Sequence, residues 1–92
     1  MDRLWAMQVF VRVVECGSFS RAAESLDIAN ATVTSSVRKL EDYLGVTLLS
    51  RNTRSLRLTD DGEGYFQQCN QVLQLVADME ARVRQKKGEI SG

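Results

Sequence analysis

The 92-residue chain contains no histidine and no proline, and it has only two cysteines and six glycines. Without histidine, the chain lacks the commonest general base, the Ser-His and Cys-His nucleophile pairs, and every zinc site that requires an imidazole. Without proline and with few glycines, it has few helix breakers, which favours a mostly helical domain. We therefore expect no catalytic residues, no bound metal ion and no cofactor.

The two cysteines, Cys16 and Cys69, are far apart in the sequence and form no CxxC pattern. This spacing argues against a metal knuckle or a disulfide-rich scaffold and predicts two reduced thiols. No stretch approaches the roughly 18 apolar residues that a membrane-spanning helix needs. The N-terminal apolar run is interrupted by Arg12 and lacks the small-residue cleavage site of a signal peptide. These features predict a soluble cytoplasmic protein with no membrane partner.

The net charge is zero, but the charges are unevenly distributed along the chain. Residues 29–58 include five basic and two acidic residues, whereas the segments on either side have a small acidic excess. Phosphate binding depends on the few cations at the contact and not on the total charge. The middle third of the chain is therefore compatible with a nucleic-acid-binding face.

Apolar residues recur at helical spacing in three short segments at the start of the chain. The first helix is predicted to bury Leu4, Met7, Phe10, Val11 and Val14, the second Phe19, Ala22, Ala23 and Leu26, and the third Val33, Val37, Leu40 and Leu44. Asp2 and Ser18 are expected to begin the first two helices, and Gly17 and Gly45 to follow the ends of the first and third. Trp5 is also assigned to the core. The connection between the second and third helices, residues 27–29, is short enough to predict a tight turn.

The pattern then changes from helical to a short hairpin followed by one long helix. Apolar residues between Leu48 and Leu58 flank a polar centre at residues 52–55, which predicts two strands with a basic tip. From Thr59, the expected cap, a helix is predicted to continue to about Lys87. Its apolar stripe follows alternating steps of four and three residues and is widened by Phe66 and Leu73. The predicted dimerisation residues are Tyr65, Cys69, Val72, Leu73, Val76, Met79 and Val83.

These elements predict a mainly α winged helix-turn-helix, with a three-helix core and a small β-hairpin wing, followed by a long dimerisation helix. We assign residues 1–58 to the DNA-binding domain and 59–87 to the dimerisation helix. A helix longer than its domain cannot bury its whole stripe against that domain. A second chain is the simplest cover, and a further domain of the same chain is the alternative.

Four segments match a known family in order and spacing: residues 18–26 (SFSRAAESL), 32–41 (TVTSSVRKLE), 44–51 (LGVTLLSR) and 58–62 (LTDDG). Together they resemble the N-terminal DNA-binding region of LysR-type bacterial transcriptional regulators. The resemblance implies a longer parent protein that binds double-stranded operator DNA as a homodimer, or as a tetramer at full length. It also implies a missing C-terminal domain that binds a small-molecule inducer, with residues 88–92 as the start of the hinge to that domain. The operator is expected to be an inverted repeat.

The resemblance also implies which residues meet DNA, since the third helix would enter the major groove and the wing would lie beside it. The candidates are Asn30, Ala31, Thr32, Thr34, Ser35, Arg38, Arg51 and Arg54. Where the family usually begins this helix with Ser-Gln, the chain has Ala29-Asn30, so the cap is either Asn30 or absent. Asn30 either only caps the helix, or caps it and also touches a base edge. Arg51 is either a phosphate contact or a structural ion-pair partner.

Two other interpretations follow from the same residues. The first is a helical protein–protein interaction adaptor that uses the long C-terminal helix and does not bind DNA. The second concerns Asp60, Asp61 and Glu63, which could hold a magnesium ion but match the positive end of the long helix's dipole better. We therefore assign no metal site to this acidic group.

Overall fold

The computed structural model describes residues 1–51 and 55–91, which form four helices and one antiparallel hairpin. In chain order the elements are α1 (Arg3–Cys16), α2 (Phe19–Leu26), α3 (Asn30–Leu44), β1 (Leu49–Arg51), β2 (Leu56–Leu58) and α4 (Asp60–Ser91). Helices α1, α2 and α3 pack on one another, and the hairpin and the start of α4 close the core. The predicted mainly α winged helix-turn-helix with a long C-terminal helix is confirmed.

Local capping explains where the first helices begin and end. The Asp2 carboxylate accepts a hydrogen bond from the Trp5 amide at 3.1 Å, and the Ser18 hydroxyl accepts one from the Arg21 amide at 3.3 Å. Gly45 ends α3 in the left-handed conformation, with φ of 72°. These caps are the ones the sequence predicts, because a capping side chain and the amide it satisfies lie within one turn of each other.

The core is centred on Phe10, which is fully buried. Its ring lies 5.7 Å from the ring of Tyr65 and 6.4 Å from that of Phe66, so α4 docks on α1 through aromatic contacts. The paired alanines Ala22 and Ala23 of α2 are buried as predicted. The buried residues are Ala6, Val9, Phe10, Val11, Val13, Ala22, Ala23, Val33, Val37, Leu40, Leu48, Leu49 and Cys69.

The buried face of α1 agrees only in part with the predicted one, since Phe10 and Val11 are buried as predicted but other positions are not. Its fully enclosed positions include Val9 and Val13, whereas the predicted core residue Leu4 is 44% exposed and Trp5 is 37% exposed. The sequence of α1 is apolar on almost every side, so its periodicity alone permits more than one buried face. The packing of α2, α3 and α4 against α1 selects the observed one. Leu44, at the last turn of α3, is likewise 36% exposed.

The wing is a short hairpin in which Leu49 pairs with Leu58, Ser50 with Arg57, and Arg51 with Leu56. Ser50 and Arg57 are exposed, while Leu49 is buried in the core. The predicted basic tip with Arg54 lies outside the described residues.

Helix α4 continues to Ser91, past the predicted end at Lys87. Gly88 follows the predicted end, but a glycine inside a helix costs only about 1 kcal/mol and does not by itself end one. The division at residues 58 and 87 and the hinge at 88–92 stay predictions. Among the helices in the described part of the chain, none combines the length and apolar character needed to cross a bilayer.

Candidate nucleic-acid interface

Helix α3 presents a face of small side chains to solvent. It buries Val33, Val37 and Leu40 in the core, so the positions between them point outward. Asn30, Ala31, Thr32, Ser35 and Arg38 are exposed, and Thr34 is half-buried. Because these side chains are short apart from Arg38, another surface can approach the N-terminal half of α3 closely. The structure thus places all six candidate residues of α3 at or near one exposed surface.

Two depressions flank this face and bring in two residues that the sequence did not assign to DNA binding. One is lined by Lys39 together with Thr34, Ser35 and Arg38, and the other adds Trp5 from α1. The sequence does indicate Lys39, because Lys39 lies one helical turn after Ser35 and therefore on the same face of α3. The position of Trp5 depends on how α1 crosses α3, so sequence spacing could not provide it.

The start of α3 has no side-chain cap. Ala29 is the N-cap residue, with an extended backbone and no side-chain hydrogen bond, and Asn30 is the first residue of the helix. Of the two alternatives predicted here, the absent side-chain cap is confirmed, and the assignment of Asn30 as the cap is wrong, because the helix begins one residue earlier than an Asn30 cap requires. Asn30 is exposed beside Ser20 and Glu24 of α2, and its contact with a base edge stays a prediction.

The base of the wing is held by Glu41 of α3. Its carboxylate accepts hydrogen bonds from the amides of Leu48 at 2.7 Å and Leu49 at 3.2 Å. The guanidinium of Arg51 lies 4.0 Å from the other carboxylate oxygen of Glu41 and 4.5 Å from the ring centroid of Phe19. Of the two roles predicted for Arg51, the structure shows the ion pair, and its phosphate contact stays a prediction. Glu41 was missed because its partners become its neighbours only when the wing folds back.

The wing adds one cation to this surface that was not among the candidates. Arg57 is exposed on the same strand face as Ser50, its partner across the ladder. The alternation of Leu56, Arg57 and Leu58 was the signal that its side chain points away from the core. The wing-tip candidate Arg54 lies outside the described residues, so the exposed wing arginines whose positions are described are Arg51 and Arg57.

The predicted dimerisation stripe of α4 divides into two parts. Cys69 is 1% exposed in the core of its own chain, and Tyr65 and Leu73 pack partly against that core. The second part consists of Val72, Met79 and Val83, which are 41%, 58% and 67% exposed, and of Val76, which is half-buried. The second part of the stripe is the part with surface left for a partner.

Burial also determines the acidity of two groups on α4. It raises the pKa of the Cys69 thiol, and it raises the pKa of Tyr65 to about 12, with the neighbouring Cys69 adding to the effect. Both groups therefore stay protonated near neutral pH. A protonated, enclosed thiol is a poor nucleophile and metal ligand. No group of metal-binding side chains occurs within the described ranges 1–51 and 55–91.

A family model for bacterial regulatory helix-turn-helix proteins of the lysR family matches residues 4–63. An HTH-type transcriptional repressor of Pseudomonas aeruginosa (strain UCBPP-PA14) is 50% identical over 84 residues, which is 91% of this chain and 26% of that protein. The HTH-type transcriptional regulator CrgA of Neisseria meningitidis serogroup C (strain 8013) is 51% identical over 77 residues, or 84% of this chain and 26% of CrgA. The chain thus spans about a quarter of the length of these curated relatives.

The fold is also similar to that of a solved protein–DNA complex. The crystal structure of BenM_DBD with catB site 1 DNA matches with a TM-score of 0.87 and 33% sequence identity. The match covers 92% of this chain and 93% of the BenM chain.

Proposed function

The chain belongs to the lysR family of bacterial regulatory helix-turn-helix proteins, and from this premise we propose that it binds double-stranded DNA sequence-specifically as a dimer. The observation that carries the proposal is the exposed face of α3. Its small side chains project from a helix held rigidly by a core on its other side. The similar BenM domain is in complex with DNA, which supports the same use of this surface.

In the proposed complex, the N-terminal half of α3 enters the major groove. Asn30, Thr34 and Ser35 offer short hydrogen-bonding groups to base edges, and the methyl group of Thr34 offers an apolar contact to thymine. Arg38 and Lys39 lie further along the helix and neutralise phosphates. Because none of the three short side chains forms a bidentate pair as arginine does with guanine, part of the specificity comes from DNA shape.

The proposed dimer forms through the second part of the α4 stripe, around Val72, Val76, Met79 and Val83. These residues lie on a helix whose end projects beyond the core, in a molecule 54 Å long and 25 Å by 22 Å across. A second copy covers such a stripe by pairing helix with helix. The dimer then carries two copies of α3, and the target is an inverted repeat.

The parent protein, in this proposal, is a cytoplasmic transcriptional regulator that extends beyond residue 92. Its further domain binds a small-molecule inducer, and a tetramer is the alternative to the homodimer at full length. The chain itself is the DNA-binding part, without catalytic activity or a cofactor.

Selection from random DNA duplexes tests the proposal directly. The 92-residue chain is expected to enrich an inverted repeat whose half-sites lie on one face of the duplex, about one helical turn or a multiple apart. The affinity should fall steeply as salt is raised, because phosphate contacts release counterions. A chain without DNA affinity at low salt would contradict the proposal and favour the protein–protein adaptor. Ser35→Ala should change base preference at one position per half-site by about 1–2 kcal/mol.

A further inference from the structure

Three elements meet at the peptide groups of Leu48. On one side, the Leu48 amide donates at 2.7 Å to the carboxylate of Glu41. Glu41 lies on α3, which we call the reading helix because it is the helix proposed to enter the major groove. On the other side, the Leu48 carbonyl oxygen accepts from the Thr59 amide at 3.0 Å, immediately before α4 begins. The Leu48 side chain is fully buried, so the residue is anchored in the core as well.

The hydroxyl of Thr59 adds a second set of bonds at the same place. It donates to the carbonyl oxygen of Thr47 at 2.6 Å and lies 3.3 Å from that of Leu48. It also accepts from the Gly62 amide at 3.0 Å, which caps the first turn of α4. One hydroxyl therefore ties the start of α4 to the chain segment that enters the wing.

Gly62 brings the first turn of α4 directly against this segment. A Cβ atom at Gly62 would overlap the Leu48 carbonyl oxygen and lie 2.9 Å from its carbonyl carbon. The backbone of Gly62 is not in a left-handed conformation, so space, and not φ, requires glycine here. The close approach and the hydrogen bonds together leave α4 little freedom to pivot at its start.

We propose that Glu41, Leu48, Thr59 and Gly62 form a rigid joint that fixes the direction of α4 relative to α3. The joint thereby sets the half-site spacing that the dimer accepts. This inference rests on the proposed dimeric DNA binding. The four residues of the joint are not among those proposed to contact DNA through the exposed face of α3.

The length of α4 makes its direction at the joint important. At 1.5 Å per residue, Val83 at the end of the exposed stripe lies about 35 Å along α4 from Asp60. A pivot of about 5° at the joint moves that end of the stripe by about 3 Å, which is comparable to the 3.4 Å rise of one base pair. Small changes in the joint therefore become changes of about one base pair in the separation of the two reading helices.

Thr59→Val tests the joint, because valine keeps the shape of threonine and removes the hydroxyl. The 92-residue protein is titrated with the selected inverted repeat and with versions whose spacer is one or two base pairs longer or shorter. The unchanged protein is expected to discriminate against the altered spacers by about tenfold or more, and Thr59→Val by less than about threefold. Thr59→Ser retains the hydroxyl and should restore the original discrimination.

Ser18→Ala is the matched control for lost stability. It removes the N-cap of α2, a bond of the same type that lies away from the joint. This variant should melt at a lower temperature yet keep the discrimination between spacers. Binding to a random-sequence duplex should differ less than about twofold between Thr59→Val and the unchanged protein, since each reading helix stays intact.

Failure of the proposed joint and failure of the proposed function would give different results in this experiment. Thr59→Val with unaltered discrimination between spacers would overturn the joint while leaving the dimeric DNA binding in place. If the unchanged protein showed no preference among spacers, the proposed dimer itself would fail. Should Thr59→Val not fold, Glu41→Gln loosens the joint from the α3 side at nearly constant shape. The same loss of spacing discrimination is then expected, and its absence would refute the joint.

Discussion

Tyr65 and Cys69 illustrate how single residues of α4 respond to the core on which they pack. Both are neutral when protonated, and burial raises the pKa of each. The folded chain therefore keeps their protons to a higher pH than the unfolded chain does. Stability is linked to this difference, and it falls with rising pH wherever the folded state binds more protons.

We predict that the free energy of unfolding decreases above about pH 9, where the unfolded thiol ionises, and further between pH 10 and about 12 as the unfolded phenol ionises. Urea unfolding from pH 7 to 11 measures this decrease. Tyr65→Phe keeps the ring against Phe10 and removes the phenol, so the decline above pH 10 should become shallower. Parallel pH profiles for the two proteins would contradict the assigned environment of Tyr65.

A second prediction for a single residue concerns Glu41. Its charged carboxylate accepts two amide hydrogen bonds at the base of the wing, and its side chain is only 15% exposed. Glu41→Gln should lower the free energy of unfolding by about 1–2 kcal/mol, because bonds to a neutral oxygen are weaker. Hydrogen exchange at the Leu48 and Leu49 amides should accelerate.

Asp42→Asn is the control, since it removes the same charge from the next, exposed position of α3. It should leave stability nearly unchanged. Equal effects of the two substitutions would show that the charge of α3, and not the contact with the wing, explains the loss.

The residues that the sequence predicts correctly are those whose partners are close along the chain. Ser18 and Thr59 cap amides within three positions of themselves. Glu41 and the contact between Thr59 and Thr47 were not predicted, because both depend on where the wing returns to the helices. For such contacts the sequence supplies the chemical groups and the fold supplies the distance.

Among the elements, α3 is the one whose start lacks a side-chain cap. Ala29 has the extended backbone of an N-cap residue but no acceptor for the free amides of the first turn. We predict that Ala29→Ser raises the free energy of unfolding by about 1 kcal/mol. Chemical denaturation measures the gain, and an unchanged midpoint would mean that another acceptor already satisfies these amides.

Ala29→Asp tests whether a substitution at this position can raise stability and lower DNA affinity at the same time. Aspartate caps as well as serine does and also favours the positive end of the helix dipole, so the stability gain should be at least as large. Its negative charge would face the DNA backbone, however, and the affinity for a duplex should fall below that of Ala29→Ser. Equal DNA affinities would place the start of α3 away from the phosphates.

Helices α1 and α2 show when hydrophobic periodicity predicts the buried face of a helix correctly. In α2 the polar positions separate the apolar ones clearly, and the predicted buried alanines are correct. In α1 nearly every side is apolar, so the predicted face included the exposed Leu4 and the core assignment included Trp5. A hydrophobic pattern determines a helix face only when a polar face limits it; in α1 the neighbouring helices determine it instead.

At the scale of the whole molecule, the long helix α4 has two parts, one that packs in the core and one that stays exposed. Its first turns complete the core through Tyr65, Phe66 and Cys69, whereas its later apolar residues stay exposed. The exposed stripe continues into an apolar groove that Leu4 and Met7 of α1 line together with Val72. A surface of this kind on a small domain is typical of a contact with another chain.

We predict that Met79→Glu abolishes the proposed dimer without unfolding the chain. Met79 is 58% exposed, so a charge there costs the monomer little, but in a paired stripe it would be buried without a partner and cost several kcal/mol. Sedimentation measures the oligomeric state. Ala81→Glu adds the same charge on the opposite side of α4 and should leave the dimer intact.

Loss of the dimer should have a defined consequence for DNA binding. A monomer carries one reading helix, so Met79→Glu should bind the inverted repeat no better than a single half-site, whereas Ala81→Glu should retain the preference for two half-sites. The reason is that in the dimer the second half-site is bound at the effective concentration that α4 imposes, without any new contact within each half-site. If Met79→Glu stays dimeric, the interface lies elsewhere on the chain. If it becomes monomeric and still prefers the inverted repeat, two chains pair on the DNA through contacts other than α4.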